Sequence, residues 1–128
     1  MDLHGLHVLL AEDNDLNAEI AVSLLEEQGM IVTRAADGKS ALIQFCNTAP
    51  GTFDLILMDI MMPEMNGYET TKAIRNLPDR PDGKEIPIIA MTANAFAEDV
   101  QAALDAGMDD HVAKPVDMSI LMSVITKN

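Results

Sequence analysis

A chain of 128 residues that is 48% hydrophobic fits one domain, long enough to bury roughly two thirds of the surface its unfolded form would expose. A formal net charge of −13, eight scattered Lys and Arg and four aromatics leave neither a basic patch nor a stacking platform, which excludes nucleic acid and anionic membrane surfaces as expected partners. There is no signal peptide, no apolar run near the roughly 20 residues of a membrane span, and a lone cysteine, Cys46, that cannot close an internal disulfide, so a cytoplasmic domain without direct membrane contact is expected.

Hydrophobic periodicity switches repeatedly along the chain. LHVLLA (6–11) is a short apolar run and DLNAEIAVSLLEEQG (15–29) sets Leu16, Ile20 and Leu24 at helical spacing before Gly29 stops it, which reads as strand then helix. MIVTRA (30–35) is a second strand, and a helix over 38–47 follows. There Leu42 and Phe45 place Cys46 in the core or on a half-buried face. FDLILM (53–58) is a third strand, with a helix from 66 to 76 after it. The stretch NLPDRPDGKEIP (76–87) is rich in Pro, Gly and charge and predicts one extended solvated loop. IPIIAM (86–91), a helix over 94–106, DHVA (110–113) and a helix after Asp117 complete the alternation. In that last helix Met118, Leu121, Met122 and Ile125 form a stripe that Ile120 and Val124 widen; either deeper burial or a partner face accounts for it.

Continuous apolar strands alternating with helices imply an α/β fold with a parallel sheet covered on both faces and right-handed crossovers. The economical arrangement is a doubly wound, flavodoxin-like five-stranded sheet in order 2-1-3-4-5, flanked by five helices, as a single domain over 1–128.

In such a sheet the ligand crevice lies at the carboxyl ends of the strands where strand order reverses, here between strands 1 and 3. Glu12 and Asp13 end the first strand and Asp59 the third, so three carboxylates share one rim. Two unit charges about 4 Å apart repel by about 4 kcal/mol at an effective dielectric of about 20, so such a group takes up protons or shares a cation. Oxygen-only ligands favour Mg²⁺, with Mn²⁺ or Ca²⁺ as substitutes. Strand 4 brings Thr92 and strand 5 brings Lys114 to the same edge. Taken singly, Asp13, Asn14, Asp15 and Thr92 suit helix capping and Lys114 a solvated surface; four polar strand ends in a row favour a site. A carboxylate nucleophile, a divalent cation, a lysine and a hydroxyl suit phosphoryl transfer. The methionines around Asp59, Met58, Met61, Met62 and Met65, suit packing better than Cu(I), which would want further soft ligands nearby.

The ordered set EDN (12–14), MDIMMPEMNG (58–67), MTA (91–93) and KP (114–115) resembles the receiver domain of two-component response regulators, over essentially the whole chain. The resemblance implies that Asp59 accepts a phosphoryl group from a phosphohistidine. It implies that Glu12, Asp13, Asp59 and the backbone carbonyl of Met61 hold Mg²⁺, that Lys114 contacts the phosphoryl group, and that Thr92 swings onto it as a switch. His111 stands where the family often has a switching aromatic, three residues before the lysine; an imidazole there can still pack and rotate together with Thr92. Pro115 is the family's candidate cis peptide. Met61 and Asn94 match the positions that tune hydrolytic lifetime, and apolar Met61 predicts slower self-hydrolysis than a polar residue would give. Such a domain catalyses its own phosphorylation and dephosphorylation without being a conventional enzyme.

EDNDLNAEI, PEMNGYE, MTANAFAED and AGMDDHVAKPVD most resemble receivers of hybrid sensor histidine kinases. That implies an excised phosphorelay module, monomeric, belonging to the cytoplasmic part of a membrane-anchored kinase, with the kinase's dimerisation and phosphoacceptor domain and a histidine phosphotransfer domain as partners. These would dock around Asp59 and on the first helix near Asn14 and Asn17. The alternatives are a stand-alone single-domain regulator, a binding module that has lost phosphorylation, and a haloacid-dehalogenase-like phosphatase. The last wants a second Asp two residues after the nucleophile, where this chain has Met61.

Overall fold

The five apolar runs form strands within two residues of their expected spans: β1 His7–Ala11, β2 Ile31–Ala35, β3 Leu55–Asp59, β4 Ile88–Thr92 and β5 Asp110–Ala113. The computed structural model describes residues 4–92, 97–114 and 117–127, the side chains of 97–99 and 127 excepted. All strand pairs are parallel, in the expected order β2-β1-β3-β4-β5, so every strand delivers its carboxyl end to one edge. Successive residues alternate between two cores. Leu9, Ile56, Met58 and Ile88 face one; Val8, Leu10, Leu57 and Ile89 face the other.

α1 (Asp15–Glu27) and α6 (Met118–Lys127) cover the second core, and α2 (Gly38–Cys46), α3 (Gly67–Arg75) and α5 (Ala97–Ala106) cover the first. The apolar breadth of α6 resolves mostly as burial: Leu121 and Ile125 are buried and Met118, Met122 and Val124 pack against them, while Ile120 is exposed. Among the described residues no helix is long and apolar enough to cross a membrane.

Two expectations need correction. The described residues hold six helices rather than five, because the presumed loop contains α4 (Asp82–Glu85). Pro81 precedes it with φ −61°, and Arg80 grips both carboxylate oxygens of Asp82 at 3.0 and 2.9 Å while lying 4.4 Å over the Phe45 ring. Arg75 adds hydrogen bonds to the carbonyls of Gly83 (3.0 Å) and Ile86 (2.7 Å). Arg80, which also donates to the Phe45 carbonyl at 2.6 Å, and Asp82, which accepts from the Gly51 N–H at 3.1 Å, therefore pin the stretch to the protein, while Asp79, Lys84 and Glu85 stay exposed. Cys46, in turn, is exposed; Phe45 takes the inward position, and one helical step of about 100° carries its neighbour to solvent.

Gly67, first residue of α3, ties that helix to the site. Its N–H donates to the Ile60 carbonyl at 2.9 Å, and a methyl group on it would sit on the Asp59 carbonyl oxygen and 2.9 Å from the Ile60 Cα. Gly67→Ala is therefore expected to cost about 2 kcal/mol or more in urea unfolding, as overpacking against backbone does; an unchanged midpoint would show that the helix can retreat freely.

Candidate functional site

β1, β3, β4 and β5 each contribute a polar side chain at the carboxyl edge of the sheet. Glu12 and Asp59 are buried, at 1% and 3% exposure, although both carry carboxyl groups, and Thr92 is buried beside them. Burying an uncompensated carboxylate costs several kcal/mol. Compensation comes from Lys114, whose Nζ lies 2.9 Å from Glu12 Oε2 and 2.9 Å from Asp59 Oδ2. Its backbone N–H donates to the Thr92 carbonyl at 2.8 Å, which fixes where the side chain departs from β5. Asp59 Oδ1 accepts from the Met61 N–H at 3.3 Å, and Glu12 Oε1 accepts from the Asn14 N–H at 3.2 Å.

Asp13 completes the group: Glu12, Asp13 and Asp59 each offer an oxygen, and the three lie within 4.8 Å of one another. The capping role falls to Asn14, whose side chain accepts from Asn17 N at 2.9 Å, so Asp13 is not consumed as a helix cap. One ammonium cannot neutralise three carboxylates. Asp59 feels the excess: its pKa is pushed up from 3.8 to about 6 by burial first and by the Glu12 charge and Asp13, with Lys114 pulling the other way. Burial works against the Lys114 ammonium, but its hydrogen bonds to Glu12 and Asp59 prevail and hold its pKa above the ordinary lysine value. An oxygen-only set with surplus negative charge, one member exposed to solvent, fits a hard divalent cation.

Thr92 Oγ1 is buried with no hydrogen-bond partner among the described residues. A buried hydroxyl left unpaired is costly, so a polar group arriving at this rim is an awaited partner. His111 is half-buried, its N–H bonded to Asp110 Oδ1 at 2.9 Å. The register pairs Ala90 with His111 and Thr92 with Ala113, which puts His111 and Thr92 on the same face two positions apart. Met61, two residues after Asp59, is 76% exposed, and its thioether has no proton to give where a haloacid-dehalogenase-like phosphatase would place its general acid. Asn94 and Pro115 lie outside the described residues.

Sequence reasoning missed Lys114's second contact, to Glu12, and missed Arg34, which binds the Glu12 carbonyl through Nη2 at 2.8 Å and Nε at 3.2 Å. The only signal was an arginine inside the apolar run MIVTRA.

Residues 8–126 match the family described as response regulator receiver domain. The chain is a receiver domain. It is 42% identical over 120 residues to the hybrid signal transduction histidine kinase I of Dictyostelium discoideum, covering 92% of this chain and 7% of that protein. It is 41% identical over 127 residues to the aerobic respiration control sensor protein ArcB of Escherichia coli, covering 99% and 16%. The receiver thus spans only a small part of these curated relatives. Among solved structures it resembles the receiver domain of a sensor histidine kinase from Pseudomonas aeruginosa, which has a magnesium ion coordinated in its active site cleft, with TM-score 0.84, 36% identity and 96% of each chain covered. It also resembles the receiver domain of a response regulator from Saccharomyces cerevisiae co-crystallised with a histidine phosphotransfer signalling protein, with TM-score 0.82, 29% identity, and 98% and 89% covered. The receiver domain here is homologous to those of hybrid histidine kinases.

Proposed function

We propose that this receiver takes a phosphoryl group from a phosphohistidine onto a carboxylate oxygen of Asp59 and passes the signal on through Thr92 and His111. The observation that supports it best is the buried Asp59 carboxylate, held by Lys114 at 2.9 Å and crowded by Glu12 and Asp13. In the transfer an Asp59 oxygen forms the new O–P bond as the N–P bond breaks, and the departing imidazole takes up a proton. With a pKa of about 6, Asp59 is mostly ionised at neutral pH, as a nucleophile must be.

Glu12, Asp13, Asp59 and the Met61 carbonyl would hold Mg²⁺, or Mn²⁺ in its place. Bound there, the ion supplies positive charge to the phosphoryl oxygens. Lys114 pairs with a phosphoryl oxygen, and the unpartnered Thr92 hydroxyl donates to another. Thr92 and His111 share a sheet face two positions apart on neighbouring strands, so a shift of Thr92 onto the phosphoryl group would be passed on to His111. Met61, apolar and exposed two residues after the acceptor, and Asn94 set how readily water reaches the acyl phosphate.

The phosphohistidine partner is a helical domain, either the kinase's own dimerisation and phosphoacceptor domain or a histidine phosphotransfer domain. α1 offers it Leu16 (64% exposed) and Ile20 (50% exposed) along a shallow groove, with Asn14 and Asn17 at the rim end. The parent is a hybrid sensor kinase with this monomeric receiver in the cytoplasm.

Backbone amide shifts on adding Mg²⁺ and beryllofluoride, beside Asp59→Asn and Mg²⁺-free controls, test the proposal. Shifts at Asp59, Thr92, His111 and Lys114 that need both metal and Asp59 are expected; their absence would leave a binding module with a disabled site.

A further inference from the structure

We propose that Arg34 is a positioning residue that holds the Glu12–Asp13 turn in its cation-binding conformation; this rests on the assignment of Glu12, Asp13 and Asp59 as a metal site. The β1–β2 ladder ends at the pair Ala11 and Ala35. One more backbone bond follows, from Glu12 N–H to the Ala35 carbonyl at 3.1 Å, and there the strand's own partners run out. The Glu12 carbonyl is then taken by Arg34, through Nη2 at 2.8 Å and Nε at 3.2 Å. The remaining nitrogen, Nη1, reaches Asp15 Oδ1 at 2.8 Å.

Arg34 therefore grips the chain on both sides of Asp13, at residue 12 by its backbone and at residue 15 by its side chain. The grip opposes a definite force. Lys114 bridges Glu12 and Asp59, whereas among the described residues no cation pairs with Asp13, so repulsion from its two neighbours drives the Asp13 segment outward. The contact to Asp15 contributes little of the resistance, because Asp15 is 93% exposed and such ion pairs are screened. The two bonds to the Glu12 carbonyl come from a guanidinium whose planar fork is preorganised and 29% exposed. Groups that hold ligating carboxylates in place commonly set metal affinity.

A purely electrostatic role for Arg34 makes the opposite prediction. Removing a cation near a dication site strengthens binding, while removing a positioning group weakens it. Mg²⁺ affinity measured by calorimetry on the wild-type chain, Arg34→Gln, Arg34→Lys and Asp15→Asn separates them, with metal-free melting temperatures as a second readout. Arg34→Gln is expected to bind Mg²⁺ about tenfold more weakly, within the range seen for outer-shell groups. Arg34→Lys restores part of the loss because an ammonium reaches one acceptor, and Asp15→Asn stays near wild type. If Arg34→Gln does not fold, Arg34→Lys carries the test and must bind more weakly than wild type. Equal or tighter Mg²⁺ binding by the Arg34 variants overturns the proposal, whatever happens to melting. A wild-type chain that binds no Mg²⁺ instead removes the metal site itself and this proposal with it.

Discussion

Asp59→Asn is expected to abolish phosphoryl acceptance and, in metal-free buffer at pH 7.5, to raise the melting temperature by several degrees. Loss of acceptance follows from loss of the nucleophile. The gain in stability follows from the direction of the pKa shift. Asp59 titrates at about 6 in the folded chain against 3.8 ordinarily, so the folded state binds this proton more tightly than the unfolded state does. The group is then harmless below pH 3.8, imposes a penalty that grows as pH rises between 3.8 and about 6, and imposes all of it above. A shift of that size corresponds to at most about 3 kcal/mol. The shift already includes the pull of Lys114; asparagine is neutral like the protonated acid but puts an amide in place of one oxygen, so a net gain of about 1–2 kcal/mol remains, or about 3–8 °C in a domain of this size. Melting curves with chelator from pH 4 to 8 read it directly: the difference should open between pH 4 and 6 and plateau above. A variant that melts at or below wild type at pH 7.5 would mean that Lys114 already relieves the strain on Asp59.

The same site shows where sequence pattern carries structural information and where it stops. Glu12, Asp13, Asp59, Thr92 and Lys114 were legible because parallel strands must end on one edge, and a polar residue closing an apolar run stands out. Periodicity also marked α1, but it could not say which stripe turns inward. Ala18, Ala21 and Leu25 face the sheet, where small side chains let the helix approach, and the larger Leu16 and Ile20 face solvent. α4 was hidden because Pro, Gly and charge signal a loop in any local window, whereas its partners, the Phe45 ring and the Arg75 guanidinium, come from elsewhere in the chain. Arg34 was hidden for a related reason: its main partner is a backbone carbonyl 22 residues away, and a carbonyl leaves no mark in the residue code.

Lys114→Met should have the largest cost to the metal-free protein. One ammonium bridges two buried carboxylates, and removing one partner of a buried ionic cluster typically costs about 3–5 kcal/mol because the remaining charge is left uncompensated. Part of that is recovered as Asp59 takes up a proton, so about 2–3 kcal/mol should be lost at pH 7.5 in urea unfolding. Two further measurements identify the cause. In an Asp59→Asn background the same substitution strands only Glu12, so its cost should shrink, giving a coupling on the order of 1 kcal/mol in the double-mutant cycle. Mg²⁺ should stabilise Lys114→Met more than it stabilises wild type, because the ion no longer competes with an ammonium already seated on Glu12 and Asp59 and takes over the neutralisation it provided. Additive costs and equal stabilisation by Mg²⁺ would together mean that Lys114 packs at the rim without compensating the carboxylates, and the charge balance proposed for Asp59 would fall with it.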